Sequence, residues 1–360
     1  MVFIFALVVW KNMCYLLFQE PIERMGIFYM NHLNIMSGLL ALALAGMTTQ
    51  AAAPALSYEV TGNNLILTYT GTLLQSSDAV NWTEVQSASS PYKIALSDKK
   101  LFFCAKGEDT HNKDITIPLT GNVNLDLIWI EPGTFTMGSP EDEMGRFDDE
   151  AQHEVTLTKG YWLGKYEITQ AQYRAIMPSN PSEFTGADLP ADTISWYGAM
   201  EFCKKLTEIE KAAGRLPEGY EYALPTEAQW EYACRAGTTT ALNSGKNLSD
   251  KEQCPEMDEV GWYSDNSNGS SHPVGQKQPN AWGLYDMHGN VWEWCLDCYG
   301  DYPSSAVTDP KGASSGSSRV VRGGSCYSYA YYCRSANRSG TRPDNGYIDC
   351  GFRVTLSPVQ

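Results

Sequence analysis

The part of the sequence after Gly237 contains only short apolar runs, and Gly, Ser, Asn and Asp interrupt each of them. No segment there has the apolar periodicity of a long helix, so this region is expected to consist of loops and short strands. A loop-rich region of this length inside a compact domain needs additional constraints, such as disulfide bonds or bound metal ions. The chain has ten cysteines, which are candidates for that role.

Two helices are predicted before this region. The first covers residues 195–213 and is expected to end at Gly214. Its predicted core-facing residues are Ala199, Phe202, Cys203, Leu206 and Ile209. The second helix lies in "LPTEAQWEYACRAG", where Thr226 and Gln229 have the spacing of a capping box and Gly237 follows the predicted end.

The N-terminal region has the features of a targeting segment. The stretch "SGLLALALAGMTTQAAA" resembles the apolar core of a secretory signal peptide, with cleavage near Ala53 or Ala55. Residues 1–55 are therefore interpreted as an over-extended start followed by this signal peptide, with the true start at Met30 or Met36. A membrane-anchored N-terminus remains open if the earlier residues are translated. Export predicts a secreted, periplasmic or cell-surface protein, in a compartment where cysteines can pair.

The remaining sequence is expected to form two domains. Residues 56–122 alternate apolar and polar side chains in short runs, which predicts a small all-β module. Residues 123–360 are richer in Trp, Gly and Asp and include the two predicted helices. The net charge of the whole chain is −16, and a surface of that sign repels phosphate backbones, so a nucleic-acid partner is not expected.

Seven motifs in the second region occur in a characteristic order. They are "WIEPGTFTMGS" (129–139), "YWLGKYEITQAQY" (161–173), "ISWYGAMEFC" (194–203), "ALPTEAQWEYACRAG" (223–237), "NAWGLYDMHGNVWEW" (280–294), "RVVRGGS" (319–325) and "GFRV" (351–354). Together they closely resemble the formylglycine-generating enzyme, or sulfatase-modifying factor, family. The resemblance implies an α+β fold: one irregular, loop-rich domain related to C-type lectins.

The resemblance also implies a test for catalysis. Formylglycine-generating enzymes oxidise a sulfatase cysteine with copper and oxygen, using two cysteines separated by four residues shortly after the Gly-Gly-Ser turn. Here Cys326 and Cys333 are separated by six residues. Aligning "CRSANR" places Cys333 on a structural cysteine of the family and Ser328 on the second catalytic position. Cys326 and Cys333 are catalytic candidates, and copper a cofactor, only if this chain is an oxidase with altered thiol spacing.

Structural disulfides are implied by the same alignment. Cys234 and Cys333 match one disulfide of the family, and Cys203 and Cys350 match a second one more loosely. In the segment "CLDC", Cys295 and Cys298 are interpreted as a structural disulfide or as free thiols, in preference to a redox-active pair.

Calcium is the implied structural cofactor. In the family, the stretch "DMHGNVWE" supplies two side-chain ligands and two backbone carbonyls. These positions correspond to the side chains of Asp286 and Glu293 and the carbonyls of Gly289 and Val291. Oxygen ligands from a turn flanked by acidic residues are what calcium requires.

A tyrosine-rich segment supplies the candidate ligand-binding residues. They are Tyr327, Ser328, Tyr329, Tyr331, Tyr332 and Tyr347. Tyr, Ser, Gly and Asn are typical of adaptable binding surfaces, and a strand can bury only alternate side chains. Some relatives, the variable proteins of diversity-generating retroelements, display hypermutated residues in this segment. The sequence therefore predicts a non-catalytic protein that binds a protein or glycan ligand. The alternatives are a formylglycine-generating oxidase and a carbohydrate-binding, lectin-like module.

Overall fold

The structure is a computed structural model that describes residues 113–359 without interruption. Before them it describes residues 5–10, 13–19, 25–28, 56–61, 64–69, 72–76, 83–85, 90–95 and 101–106. The predicted signal-peptide core, both candidate start residues and both candidate cleavage positions lie outside these ranges. By its internal contacts the chain divides into two compact units, Met1–Asn112 and Lys113–Gln360.

The described part of the first unit consists of β-strands. They are β1 (Phe5–Trp10), β2 (Met13–Gln19), β3 (Met25–Phe28), β4 (Leu56–Thr61), β5 (Asn64–Tyr69), β6 (Thr72–Ser76), β7 (Thr83–Glu84), β8 (Tyr92–Ala95) and β9 (Leu101–Lys106). They form a six-stranded sheet in the order β3-β2-β1-β9-β6-β7 and a three-stranded sheet in the order β4-β5-β8. The β-unit thus includes strands from residues 1–55, because β1 pairs with β9.

The second unit combines short strands with a few helices. Its strands are β10 (Ile115–Leu119), β11 (Val123–Ile130), β12 (Gly133–Met137), β13 (His153–Leu157), β14 (Tyr161–Gly164), β15 (Tyr220–Ala223), β16 (Gly261–Trp262), β17 (His288–Gly289), β18 (Trp292–Cys298), β19 (Val307–Thr308), β20 (Arg319–Arg322), β21 (Arg338–Thr341), β22 (Cys350–Gly351) and β23 (Thr355–Pro358). Its helices are α1 (Gln170–Ile176), α2 (Trp196–Ala212), α3 (Glu227–Arg235) and α4 (Pro255–Asp258), with 3₁₀ turns at Thr120–Asn122 and Ala330–Cys333. This mixed, loop-rich unit has the predicted α+β character.

The boundary between the units differs from the predicted one between residues 122 and 123. Strand β10 belongs to the second unit, because Ile117 pairs with Leu125 of β11 in an antiparallel ladder. Periodicity alone could not assign this strand, since a period of two is the same in either unit.

A five-stranded sheet and helices α1 and α2 enclose the first core of the second unit. The sheet has the order β10-β11-β14-β23-β15, so the last strand of the chain lies between β14 and β15. Helix α2 begins after Ser195, whose hydroxyl accepts a hydrogen bond from the NH of Gly198. Its residues Ala199, Phe202, Cys203 and Leu206 are buried as predicted, whereas Ile209 is 42% exposed and lies beside the buried stripe.

A second core forms between helix α3 and the sheet β21-β20-β18-β22. The predicted capping box is present: Thr226 and Gln229 exchange hydrogen bonds between side chain and backbone at the start of α3. Trp230 and Cys234 are both fully buried on the same face of α3. None of the described helices is long and apolar enough to cross a membrane.

Buried arginine–carboxylate pairs hold the loop-rich half in place, three of them by joining it to earlier parts of the second unit and one within that half. The pairs are Arg322–Glu231, Arg334–Glu150, Arg338–Glu227 and Arg353–Glu293. Each joins residues far apart in the sequence, and each arginine also donates to backbone carbonyls. These pairs supply part of the constraint that the sequence analysis assigned to disulfides and metal ions.

Candidate functional site

The Gly-Gly-Ser turn after β20 fixes the start of the tyrosine-rich segment. Gly323 and Gly324 both have positive φ angles, 92° and 75°, which L side chains rarely adopt. A Cβ atom on Gly324 would lie 2.5 Å from Sγ of Cys333. The turn therefore requires glycine for its backbone conformation and for its close contact with the end of the segment.

Cys326 is fully buried directly after this turn. Its NH donates to the carbonyl of Asn290 (2.9 Å), and its carbonyl accepts from the hydroxyl of Ser267 (2.6 Å). Burial raises the pKa of the Cys326 thiol to about 12, with a smaller contribution from the nearby Asp349 carboxylate. The thiol is therefore protonated at neutral pH, whereas the thiolate is the form that binds metals and acts as a nucleophile.

Ser328, which the alignment places on the second catalytic position of the family, has its hydroxyl inside the turn. The NH of Ser325 donates to Oγ of Ser328 (3.0 Å), and Ser328 is buried by this contact. Cys333 is also buried, its thiol points to the carbonyl of Tyr329 (3.7 Å), and burial raises its pKa well above the usual value. The segment thus lacks a pair of ionised thiols of the kind that a soft copper ion prefers.

Two predicted ligand-binding residues, Tyr327 and Tyr329, project from this segment. Their exposed fractions are 44% and 46%, while Cys326, Ser328 and Ala330 between and beside them are buried. Ser328, also predicted to belong to the binding surface, is only 8% exposed, and its side chain supports the turn. Exposed tyrosines thus alternate along this segment with small, buried side chains.

The other predicted tyrosines lie close to this segment or on the core. Tyr331 and Tyr332 are half-buried in the 3₁₀ turn, with ring centroids 4.2 Å apart. The ring of Tyr329 stacks on Tyr331 at 6.1 Å. Tyr347 packs partly against the first core, and its carbonyl accepts from the NH of Thr193 (3.0 Å). Tyr347 therefore contributes less free surface than the predicted set implied.

Phe147 extends the row of rings, and the sequence analysis did not identify it. Its side chain is 37% exposed, and its ring stacks on Tyr332 with centroids 5.7 Å apart and planes 20° apart. It also lies 6.0 Å from Tyr331. Tyr329, Tyr331, Tyr332 and Phe147 form a continuous group, called the ring row below. Its only signal in the sequence is an aromatic residue inside the acidic segment "EDEMGRFDDE".

A family model described as "Sulfatase-modifying factor enzyme 1-like domain" matches residues 118–358. The chain belongs to this family. The mouse (Mus musculus) formylglycine-generating enzyme is 30% identical over 277 residues, covering 63% of this chain and 74% of the mouse protein. Chaperone protein LppX of Paenibacillus barcinonensis is 31% identical over 224 residues, which is 49% of this chain and 74% of LppX.

Two solved structures of the same fold are similar to this sulfatase-modifying-factor domain. Variable protein 1 of Treponema denticola has a TM-score of 0.61 and 30% sequence identity, covering 68% of this chain and 99% of that protein. PvdO from Pseudomonas aeruginosa has a TM-score of 0.56 and 26% identity, covering 68% of this chain and 98% of PvdO. The proteins similar to this chain therefore include one named as an enzyme and one named for its variability.

Among the cysteines whose side chains are described, the structure does not form the disulfides that the family implies. All cysteines whose side chains it describes, including Cys203, Cys234, Cys333 and Cys350, carry free thiols. Sγ of Cys234 points to Oγ of Ser335 (3.6 Å) and to Nε2 of His288 (3.9 Å), whereas the Cys333 thiol points to the carbonyl of Tyr329. The thiols of Cys234 and Cys333 thus point to different polar neighbours. Cys295 and Cys298 are also free, and Cys295 is fully buried.

His288 contacts both Cys234 and Cys333. The NH of Asn243 donates to Nε2 of His288 (3.0 Å), so the other ring nitrogen, Nδ1, donates to the carbonyl of Cys333 (2.6 Å). Burial lowers the pKa of His288 to about 4. His288 is fully buried, and both of its ring nitrogens form hydrogen bonds inside the core.

The predicted calcium ligands lie in a buried acidic region. Asp286 is 2% exposed, and its Oδ1 atom is buried without a hydrogen-bond partner, although the NH of Gly275 donates to Oδ2 (2.7 Å). Glu293 is engaged differently: its carboxylate accepts from Trp230 Nε1 (2.8 Å) and twice from Arg353 (2.6 Å each). Asp286 therefore fits a cation ligand better than Glu293 does.

A third buried carboxylate, Glu167, was missed by the sequence analysis. It accepts from the NH of Val291 (3.1 Å) and from the side-chain amide of Asn290 (2.7 Å). Burial, followed by the charges of Asp286 and Glu293, raises the pKa of Glu167 well above its usual value. The carboxylates of Glu167, Asp286 and Glu293 thus lie near the single positive charge of Arg353. A divalent cation would compensate the excess negative charge.

The oxygen ligands available to such a cation are mainly those that the family implies. Among the described residues, no three His, Cys, Asp or Glu side chains converge in the way that a side-chain metal cluster requires. Calcium would therefore depend on the carbonyls of Gly289 and Val291 as well as on Asp286. Gly289 allows this backbone to approach β16 closely, because a Cβ there would lie 2.0 Å from the carbonyl oxygen of Trp262.

Proposed function

We propose that this protein is an exported, non-catalytic ligand-binding member of the sulfatase-modifying-factor family, and that its ligand is a protein or a glycan. The observation that carries the proposal is the alternation in the tyrosine segment. Tyr327 and Tyr329 are exposed on a backbone whose intervening side chains are buried. Rigid aromatic side chains of this kind give a large contact area at small entropic cost.

The absence of catalysis in this proposal rests on the second thiol position. Ser328 stands there and its hydroxyl is used by the Gly-Gly-Ser turn. Burial raises the pKa values of Cys326 and Cys333. The similarity to the mouse enzyme favours the alternative, a formylglycine-generating oxidase, in which Cys326 and Cys333 would bind copper. The separation of these two cysteines by six residues, in place of the four in the family's catalytic pair, counts against that alternative.

Calcium is the proposed structural cofactor. The carboxylate of Asp286 and the carbonyls of Gly289 and Val291 would hold it, with Glu293 contributing the lone pair that Arg353 and Trp230 leave free. The buried, unpartnered Oδ1 atom of Asp286 supports this assignment. The ion would fix the backbone that holds Cys326 through the carbonyl of Asn290.

The activity arm of the test uses the copper-loaded protein and a peptide that contains Cys-x-Pro-x-Arg. Mass spectrometry is expected to find the cysteine unchanged. An aldehyde product that disappears in Cys326→Ser would overturn the proposal and establish the oxidase.

In the binding arm, a random-peptide phage library is selected on the immobilised protein. The labelled protein is also applied to a glycan array. Ligands retained by the wild type are expected to be lost by the double variant Tyr327→Ala/Tyr329→Ala. They should be retained by Tyr197→Ala, which removes a tyrosine that is 58% exposed on helix α2. Ligands that bind both variants equally would show that the tyrosine segment is not the binding surface.

A further inference from the structure

The ring row is bordered by an acidic segment of the same unit. Gly145 brings this segment close, because a Cβ atom there would lie 2.4 Å from Cβ of Tyr331. Two residues further along, the ring of Phe147 stacks on Tyr332. Residues 141–149 and the tyrosine segment therefore form one continuous surface.

The exposed charges on this border are mainly negative. Residues 141–150 contain six acidic residues and one basic residue. Glu143 and Glu150 both pair with the buried Arg334, whose single positive charge compensates one of their two negative charges, and Arg146 lies 3.6 Å from Asp148. The acidic side chains that remain accessible on this border are Glu141, Asp142 and Asp148.

A second border of the ring row, residues 250–252, is also negative overall. The NH of Tyr331 donates to the carbonyl of Lys251 (3.0 Å), which places residues 250–252 beside the ring row. The side chains of Asp250, Lys251 and Glu252 are exposed, and their charges sum to −1. The pKa of Tyr331 is raised mainly by its hydrogen bond with Tyr332 and by burial, and the nearby Glu252 carboxylate adds a smaller contribution. The ring row thus has two acidic borders, and each is negative overall.

We propose that the ring row binds a polypeptide partner through arginine side chains. A guanidinium group can stack on an aromatic ring and pair with a carboxylate at the same time, and it is more weakly hydrated than a lysine ammonium. The chain already uses this combination internally. The guanidinium of Arg338 lies 3.9 Å from the ring centroid of Tyr302 and pairs with Glu227 (2.7 Å). This inference rests on the proposed function, because it assigns the ligand class of the same surface.

The test measures binding of fluorescein-labelled nona-arginine by anisotropy, with nona-glutamine as the uncharged probe. An acidic protein attracts any polycation, so the decisive variants leave the net charge unchanged. Phe147→Leu keeps an apolar side chain and removes the π face, and Tyr329→Ala removes a second ring. Each is expected to weaken nona-arginine binding about tenfold, the effect of losing one well-placed cation–π contact. Tyr197→Ala is the matched control and is expected to have no effect.

The carboxylate border is tested by a second matched pair. Asp148→Asn is expected to weaken nona-arginine binding several-fold, whereas Glu208→Gln, which removes an exposed charge on helix α2, should change it only slightly. Circular dichroism spectra and melting temperatures confirm that the variants are folded. Equal affinities for Phe147→Leu, Tyr329→Ala and the wild type would overturn the proposal, because binding would then be a general effect of charge.

The two proposals can fail separately. Selected library peptides that need Tyr329 but contain no excess of arginine would overturn the ligand class and leave the binding function intact. Selected peptides that do not need Tyr327 or Tyr329 would overturn the binding function itself.

Discussion

Arg334 and Glu150 form a fully buried ion pair with two short contacts, Nη2–Oε1 at 2.6 Å and Nη1–Oε2 at 2.8 Å. Arg334 follows the tyrosine segment directly, and Glu150 ends the acidic segment that carries Phe147. The pair therefore holds the two sides of the ring row together. Burial by itself would raise the pKa of Glu150, but the hydrogen bonds and charge of Arg334 lower it below the usual value.

Replacing Glu150 by Gln should destabilise the protein and loosen the ring row. The loss leaves Arg334 with Glu143 (2.5 Å) as its remaining carboxylate, and breaking a buried ion pair from one side costs about 3 kcal/mol in the free energy of unfolding. Urea unfolding followed by tyrosine and tryptophan fluorescence measures this change. Asp148→Asn is the control and should stay within about 0.5 kcal/mol, because its side chain is fully exposed. Equal stability of both variants would contradict the role given to the pair.

The buried cysteines should be unreactive in the native protein. Burial raises the pKa of the Cys234 thiol to about 12, and Cys326 and Cys333 are shielded in the same way. Treatment with iodoacetamide at pH 8 and peptide mapping under non-reducing conditions should find these three residues unmodified and unpaired. Denaturation should then expose all three to alkylation. Recovery of a Cys234–Cys333 disulfide peptide would restore the pairing that the family implies.

Chelation should lower the melting temperature if calcium occupies the Asp286 region. An ion that binds only the folded state stabilises it by mass action, so excess EDTA removes that contribution. In Asp286→Asn the difference between calcium and EDTA is expected to disappear, because the buried carboxylate that attracts the ion is gone. A wild-type melting curve that is the same in calcium and in EDTA would count against the cofactor.

Asp297 should make the protein less stable as the pH rises. Burial, followed by the charge of Glu227, raises its pKa from 3.8 to about 7. A carboxyl group whose pKa is higher in the folded state contributes stability at low pH, and this contribution is lost as the pH rises through about 7. The loss is at most about 4 kcal/mol for a shift of this size.

The Asp297→Asn variant isolates this effect. It should match the wild type in melting temperature near pH 4 and exceed it at pH 8, because Asn can still accept the hydrogen bond from the NH of Glu227. The exposed Asp301 provides the control variant Asp301→Asn, which should follow the wild type at both pH values. If the difference between Asp297→Asn and the wild type does not change with pH, the buried carboxyl group is not the cause.

The features that depend on neighbouring residues were predictable from the sequence. The capping box of α3 and the buried stripe of α2 follow from spacing along one helix, and the family resemblance gave the α+β fold. Ile209 belongs to the predicted stripe but is 42% exposed, which periodicity could not show. The serine at the second catalytic position also follows from an alignment of one short segment.

The features that depend on distant residues were not predictable. Phe147 joins the ring row only because Arg334 draws its segment to the tyrosines. Glu167 reaches the predicted calcium region because the NH of Val291 and the amide of Asn290 bind its carboxylate. Ser328 resembles its tyrosine neighbours in composition, but the backbone places it on the buried side. Such contacts arise from tertiary packing, and no local pattern in the sequence records them.

The position of strand β23 has a consequence for the biosynthesis of the second unit. This strand pairs with β14 on one side and with β15 on the other, so residues 355–358 form an interior strand that joins β15 to the five-stranded sheet. While the ribosome still covers them, β14 and β15 have no partner on these edges, and the apolar side chains of the first core stay accessible. Folding of this unit must therefore be completed after residue 358 has left the ribosome, and the nascent chain needs protection from edge-to-edge association until then.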